Sequence, residues 1–206
     1  MGSRVIHGVG TMAIESDLEL MLRVTHGDEE SFETLLNRHR VPLLSYFVRM
    51  VRDRALAEDL TQEVFLRVYQ ARERYQPEAR FTTWLYRIAT NLALNAIRDR
   101  RCEPLAFMAP GSEDGQPALL ERVPDARPTV EQQMLESDRE RAIREAIECL
   151  PERQRAAVIL HKYQEVDYRQ IAQVLKVSES AVKSLLFRAY ESLRVRLEPL
   201  MQGGMV

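Results

Sequence analysis

Apolar residues recur every three to four positions along most of the chain, and no run alternates apolar with polar residues or carries an Asn-Gly hairpin turn. The pattern therefore predicts helices throughout. Ser16-Asp17-Leu18-Glu19 reads as a capping box, in which the serine accepts from the amide three residues on while the glutamate reaches back, and it opens a helix that Gly27 closes. A second helix starts near Asp28 and places Phe32, Leu35, Leu36, Leu43, Phe47 and Met50 on its apolar side. Pro42 should kink or split it, because proline removes a backbone donor and crowds the preceding turn. The third helix covers residues 55–71 with Leu56, Leu60, Val64 and Val68 four apart, and the fourth covers 82–100 with Trp84, Ile88, Leu92 and Ala96.

From Cys102 onward the texture changes. Five of the nine prolines fall between there and Gln132, no period is sustained, and the stretch carries four more negative than positive charges. An acidic, proline-punctuated connection of this length reads as a linker. Periodicity then resumes with Met134, Leu135, Ile143, Ala146 and Ile147 and pauses at Leu150-Pro151-Glu152, where the proline suits the first position of the next helix. The expected fold class is all-α: an N-terminal extension (1–16), a helical domain (17–101), a flexible linker (102–132) and a second small helical domain (133–206).

The strongest local motif is a helix-turn-helix in that second domain. Tyr168 to Lys176 is a short amphipathic helix, Val177-Ser178-Glu179 a tight turn with serine as N-cap, and residues 180–196 a longer helix. Ala172 is the small residue that lets the helices cross, between Ile171 and Leu175, with Val182 and Leu186 beyond the turn. The outward face then presents Ser180, Lys183, Ser184, Phe187 and Arg188, a set fit for phosphates and base edges. An ordinary helical hairpin with a solvated face would show the same spacing. Lys176 stands where the turn asks for a left-handed residue, a conformation that favours glycine.

Composition narrows the classes. The 206 residues are 45% apolar and carry 29 basic against 31 acidic side chains, so the chain can build real cores and gives no bulk electrostatic sign of a nucleic-acid partner. Only Lys162, Lys176 and Lys183 are lysines; the other basic residues are arginine, suited to bidentate phosphate or carboxylate contacts. No stretch approaches the roughly 20 apolar residues of a membrane helix, and the N-terminus has no secretory pattern. Cys102 and Cys149 are too few for a disulfide scaffold or a zinc cluster, which points to a reducing cytoplasm with no metal or cofactor. No Gly-x-x-x-x-Gly-Lys phosphate loop and no nucleophile-base pair occurs, so an enzyme is not expected.

Four segments in order resemble one family. Asp59-Leu-Thr-Gln-Glu-Val-Phe-Leu-Arg-Val-Tyr69, Phe81-Thr-Thr-Trp-Leu-Tyr-Arg-Ile-Ala-Thr-Asn91, Leu150-Pro-Glu-Arg-Gln-Arg155, and Ile171-Ala with Ala181-Val-Lys-Ser-Leu-Leu-Phe-Arg-Ala189 are similar to the bacterial extracytoplasmic-function (ECF) RNA polymerase sigma factors. The resemblance covers about residues 17–197 and implies a region 2 domain, a region 4 domain, and a protein that binds core RNA polymerase and directs it to promoters with −10 and −35 elements. It also implies an anti-sigma factor as a further partner. The rival reading is a polymerase-independent helix-turn-helix regulator, which leaves the Asp59–Tyr69 motif unexplained.

By that resemblance, Asp59, Gln62 and Glu63 would dock on the polymerase clamp; on their own they share a helical face that also fits a solvated charge patch. The opened −10 strand would meet Tyr75 and Phe81 as stacking rings and Asn91 as a base-edge partner, with Trp84 read as core more than as a stacking residue. Arg80, Arg87, Arg98, Arg100 and Arg101 would form a cationic path. The −35 groove would meet Lys183, Ser184, Phe187 and Arg188, with Ser178, Glu179 and Ser180 at the helix N-terminus.

Overall fold

The computed structural model describes the backbone of residues 15–77, 79–102 and 130–202, and the side chains of these except 101–102, 130–137 and 199–202. Its order is α1 (Asp17–Thr25), α2 (Glu29–Val51), α3 (Arg54–Gln70), a 3-10 turn (Arg72–Arg74), α4 (Phe81–Cys102), α5 (Val130–Glu148), α6 (Glu152–Tyr163), α7 (Tyr168–Leu175) and α8 (Glu179–Gln202), with no strand among the described residues.

The helix starts follow from the side chains placed there. The Ser16 hydroxyl accepts from the Glu19 amide at 3.3 Å while the Glu19 carboxylate accepts from the Ser16 amide at 2.9 Å, completing the expected box. Asp28 caps α2 and Asp53 caps α3 in the same sense, and Asp167 forms a second capping box with Gln170 that opens α7. Left-handed residues reverse the chain between helices: Gly27 at φ 89°, Arg52 at φ 62° and Lys176 at φ 53°. Lys176 thus adopts the conformation its position calls for, at about 1 kcal/mol relative to glycine.

Helices α1–α4 enclose Leu35, Leu43, Phe47, Met50, Val64, Leu85 and Ala89, all buried. Helices α6–α8 enclose Ile159, Leu160, Ile171, Val182, Leu186 and Ala189. These two cores are continuous, because α2 packs on α6 and α4 packs on α7. Two helical units are present as expected, yet they are packed together; the linker that should let them part lies outside the described residues.

Three expectations are corrected. Pro42 lies inside a continuous α2 and does not split it; the loss of one hydrogen bond, to the Arg38 carbonyl, is offset by packing of a 23-residue helix on α1 and α3. Pro151 is the N-cap of α6 at φ −52° and ψ 142°, one residue before the first helical position, where its missing donor costs nothing. In α4 the deepest residues are Phe81, Thr83, Leu85, Tyr86, Ala89, Thr90 and Ala93, with Trp84, Ile88 and Ala96 only partly covered. The apolar stripe is rotated and widened because α4 is covered from two sides.

Candidate polymerase and promoter interfaces

On α3, Leu60, Val64 and Val68 turn into the core, which leaves Asp59 and Gln62 exposed and Glu63 partly so. Glu63 accepts from Arg67 at 2.7 Å, an exposed i,i+4 pair of small energetic weight. The same face carries Leu66, 51% exposed and seven residues on from Asp59. That residue was not among the sequence candidates, although its i+7 spacing was readable. Acid and apolar groups side by side form a surface on which charge steers the encounter and desolvated apolar area holds it.

On α8, the register set by Val182, Leu186 and Ala189 in the core turns Ser178, Glu179, Ser180, Lys183, Ser184, Phe187 and Arg188 outward, all exposed. The structure brings these candidates together on one helix end and one face. Ser178 caps the helix by accepting from the Ala181 amide at 3.2 Å, and Ser184 donates to the Ser180 carbonyl. Phe187 is 68% exposed, a large ring with no structural partner on its outer side. A helix N-terminus with free amide hydrogens, followed by Lys183 and Arg188, favours a phosphate backbone at that end.

The third candidate face is less uniform. Tyr75 and Phe81 are buried, at 9% and 3% exposure, and so offer no stacking face in this structure. They belong to an aromatic cluster in which Trp84 lies 5.1 Å from Tyr75 and 6.0 Å from Phe81, and His39 lies 5.4 Å from Phe81. His39 is in turn held by Asp17 at 2.8 Å, and burial lowers its affinity for a proton despite that carboxylate. Arg100 binds Asp53, the cap of α3; the Leu56 amide and then that guanidinium hold the Asp53 carboxyl below its usual range. The side chain of Arg101 lies outside the described residues. What remains is a stripe: Arg87, Asn91 and Arg98 are exposed, Trp84 is partly exposed, and these fall within about 60° of one another around α4, with Arg80, also exposed, just before its first residue. Asn95, also exposed, lies on the same stripe and is an addition to the expected set. Among the described residues no cluster of His, Cys, Asp and Glu that would hold a metal is present, and no helix is long and apolar enough to cross a membrane.

Comparison with known proteins matches these surfaces to two families. The Sigma-70 region 2 family covers residues 35–102, which includes the α3 face and the α4 stripe, and the Sigma-70 region 4 family covers residues 140–193, which includes the helix-turn-helix. The chain is 33% identical to the RNA polymerase sigma-H factor of Pseudomonas aeruginosa over 91% of its own length and 97% of the relative's. It belongs to the ECF RNA polymerase sigma factors. The ECF sigma-E factor of Haemophilus influenzae is 32% identical, over 90% of this chain and 97% of that one. Among solved structures, CnrH in complex with the cytosolic domain of CnrY aligns with a TM-score of 0.65 at 20% identity, covering 90% of this chain and 99% of CnrH. The Bartonella quintana sigma factor RpoE in complex with the anti-sigma factor NepR aligns at 0.63 and 19%, over 82% of this chain and 98% of RpoE; both share the fold. This sigma factor is thus a transcription initiation factor, and a helix-turn-helix regulator acting alone does not account for the region 2 half.

Proposed function

We propose that this ECF sigma factor docks Asp59, Gln62, Glu63 and Leu66 on the clamp of core RNA polymerase, reads the −35 duplex with α8, and holds the opened −10 strand along the α4 stripe. The observation that carries the reading is α8, where every candidate chosen for groove contact is exposed on the second helix of a helix-turn-helix. There Lys183 and Arg188 supply phosphate or guanine contacts, and Phe187 is placed for a thymine methyl.

Along α4, Arg80, Arg87 and Arg98 track the single-stranded backbone while Asn91 and Asn95 present amides to base edges. Trp84, partly exposed, is the ring available for stacking; Tyr75 and Phe81 support it from below. Extruding one or two bases costs a few kcal/mol, which contacts of this kind offset without ATP hydrolysis. An anti-sigma factor is the natural further partner, as NepR is for the Bartonella quintana RpoE. The site of action is the cytoplasm, wherever polymerase meets the chromosome.

Reconstitution with core polymerase tests the reading. The full-length chain should bind core and support promoter-dependent transcription, while Asp59→Arg should lose core binding and keep its helical circular dichroism spectrum. Wild-type affinity in the folded variant would remove this face from the interface.

A further inference from the structure

Beneath the α4 stripe a chain of contacts runs back to the first residue of α1. Trp84, the ring available for stacking, rests on Tyr75 at 5.1 Å and on Phe81 at 6.0 Å, both of them buried. Phe81 is backed in turn by His39 of α2, whose ring centroid lies 5.4 Å away. His39 reaches the Asp17 carboxylate with Nε2 at 2.8 Å. A carboxylate only accepts, so Nε2 is the nitrogen that carries the hydrogen.

Asp17 is itself held on every side. Its second oxygen accepts from Arg38 Nη1, which also donates to the Glu15 carbonyl at 3.0 Å. Asp17 is the first residue of α1, just inside the Ser16–Glu19 capping box, where the partial positive charge of a helix N-terminus favours a carboxylate. With both oxygens engaged and the backbone set by the box, Asp17 holds the imidazole in one orientation. The charges that face His39 are Asp17 of α1 and Arg38 of its own helix, while α4 faces it with Phe81. Burial, with a smaller contribution from Arg38, outweighs Asp17 and favours the neutral ring.

The two rings under Trp84 are therefore held differently. Tyr75 buries its hydroxyl with no hydrogen-bond partner among the described residues, so packing alone fixes it. Phe81 leans on a ring that a hydrogen bond orients. Aromatic pairs tolerate a range of tilts and centroid distances, whereas a hydrogen bond weakens steeply as its angle closes. The directional route to Trp84 runs from Asp17 through His39 to Phe81.

We propose that Asp17 and His39 are positioning residues for the opened −10 strand: the pair orients Phe81 and, through it, the face that Trp84 presents to a base. The proposal rests on the −10 reading of the α4 stripe and adds to it two residues that lie behind the stacking ring.

Trp84 is the single tryptophan of the chain, so its fluorescence reports on this ring without a label. In the full-length protein, Asp17→Asn removes the carboxylate that orients His39, and His39→Gln keeps a donor for Asp17 but takes the ring away from Phe81. Each variant should stay helical by circular dichroism and bind core polymerase and a −35 duplex as the wild type does, yet show Trp84 more accessible to acrylamide. At a promoter mapped by run-off transcription, permanganate reactivity of the −10 thymines in the polymerase complex should fall about 2- to 12-fold, the size of one aromatic contact.

A purely structural role would lower the denaturation midpoint and leave both readouts at wild-type values in the folded protein. That result, in either folded variant, would overturn the proposal. Parallel losses of −10 opening, −35 binding and core binding would overturn it as well, because they would mark general disorder and not a misplaced ring. Trp84→Ala separates this failure from that of the underlying reading. Normal −10 opening by Trp84→Ala would remove the stripe from the −10 site and the positioning role with it; impaired opening by Trp84→Ala alone, with both pair variants normal, would leave the stripe in place and sink only the positioning role.

Discussion

The two surfaces proposed to read DNA in this sigma factor differ in how they are built. On α8 one face is buried by α5, α6 and α7 of its own unit, and the face that carries Lys183, Ser184, Phe187 and Arg188 is exposed, so these residues are available to DNA. On α4 one side packs on α2 and α3 and another on α7 of the distant unit, leaving a narrow stripe of Arg87, Asn91, Asn95 and Arg98. A helix buried from one direction shows its functional face in its periodicity; a helix buried from two does not.

The contrast is tested most severely by paired truncations of phenylalanine. Phe81→Ala should destabilise region 2 by about 3–5 kcal/mol, since the ring is buried against Tyr75, Trp84 and His39. Phe187→Ala should leave the denaturation midpoint within the error of measurement and weaken −35 binding instead. Equal stability losses in chemical denaturation would erase the distinction between the two faces.

Charge removal comes next. Lys183→Ala and Arg188→Ala should each weaken binding of a −35 duplex roughly 5- to 150-fold if they contact base edges, and less, with a shallower salt dependence, if they touch phosphates. Arg87→Ala and Asn91→Ala should leave −35 binding alone and reduce permanganate reactivity of −10 thymines in the polymerase complex. Loss of −35 binding in the α4 variants would show that the faces are not separate.

A smaller effect concerns the turn that aims α8. Lys176→Gly removes the cost of a left-handed lysine and should raise stability by about 1 kcal/mol, read as an increased denaturation midpoint with −35 affinity kept.

The smallest effect is a pH dependence beneath the α4 stripe. Burial lowers the proton affinity of His39 in the folded state below its ordinary value near 6.5. Below that pH the unfolded chain binds a proton that the folded chain resists, so stability falls as pH falls from about 6.5 toward the folded value. The His39→Gln variant should show a flatter midpoint between pH 7.5 and 5.5 than the wild type. An identical slope would mean that His39 is not the group responsible.

Much of this was legible in the residues. The Ser16 box, the register of α3 and the exposed face of α8 follow from local spacing, and they appear where the pattern placed them. Tyr75 and Phe81 were misplaced as surface rings because aromatic residues beside a loop look alike whether they face a base or a core. Their burial depends on His39 and Trp84, which the fold brings from α2 and α4. The packing of the two units did leave a signal: Ala156 to Leu160 is an unbroken apolar run, all buried, as expected of a helix wedged between two bodies. Arg155 beside that run donates to the Met50 and Glu148 carbonyls at two helix ends, but only the fold shows which ends they are.

The central claim is that one chain carries polymerase to promoters through these separate faces. Run-off transcription of genomic DNA by core RNA polymerase, with and without the chain, tests it most directly. The account predicts discrete chain-dependent start sites preceded by shared −35 and −10 elements, lost with Asp59→Arg. The absence of chain-dependent transcripts, or start sites unaffected by that substitution, would contradict it.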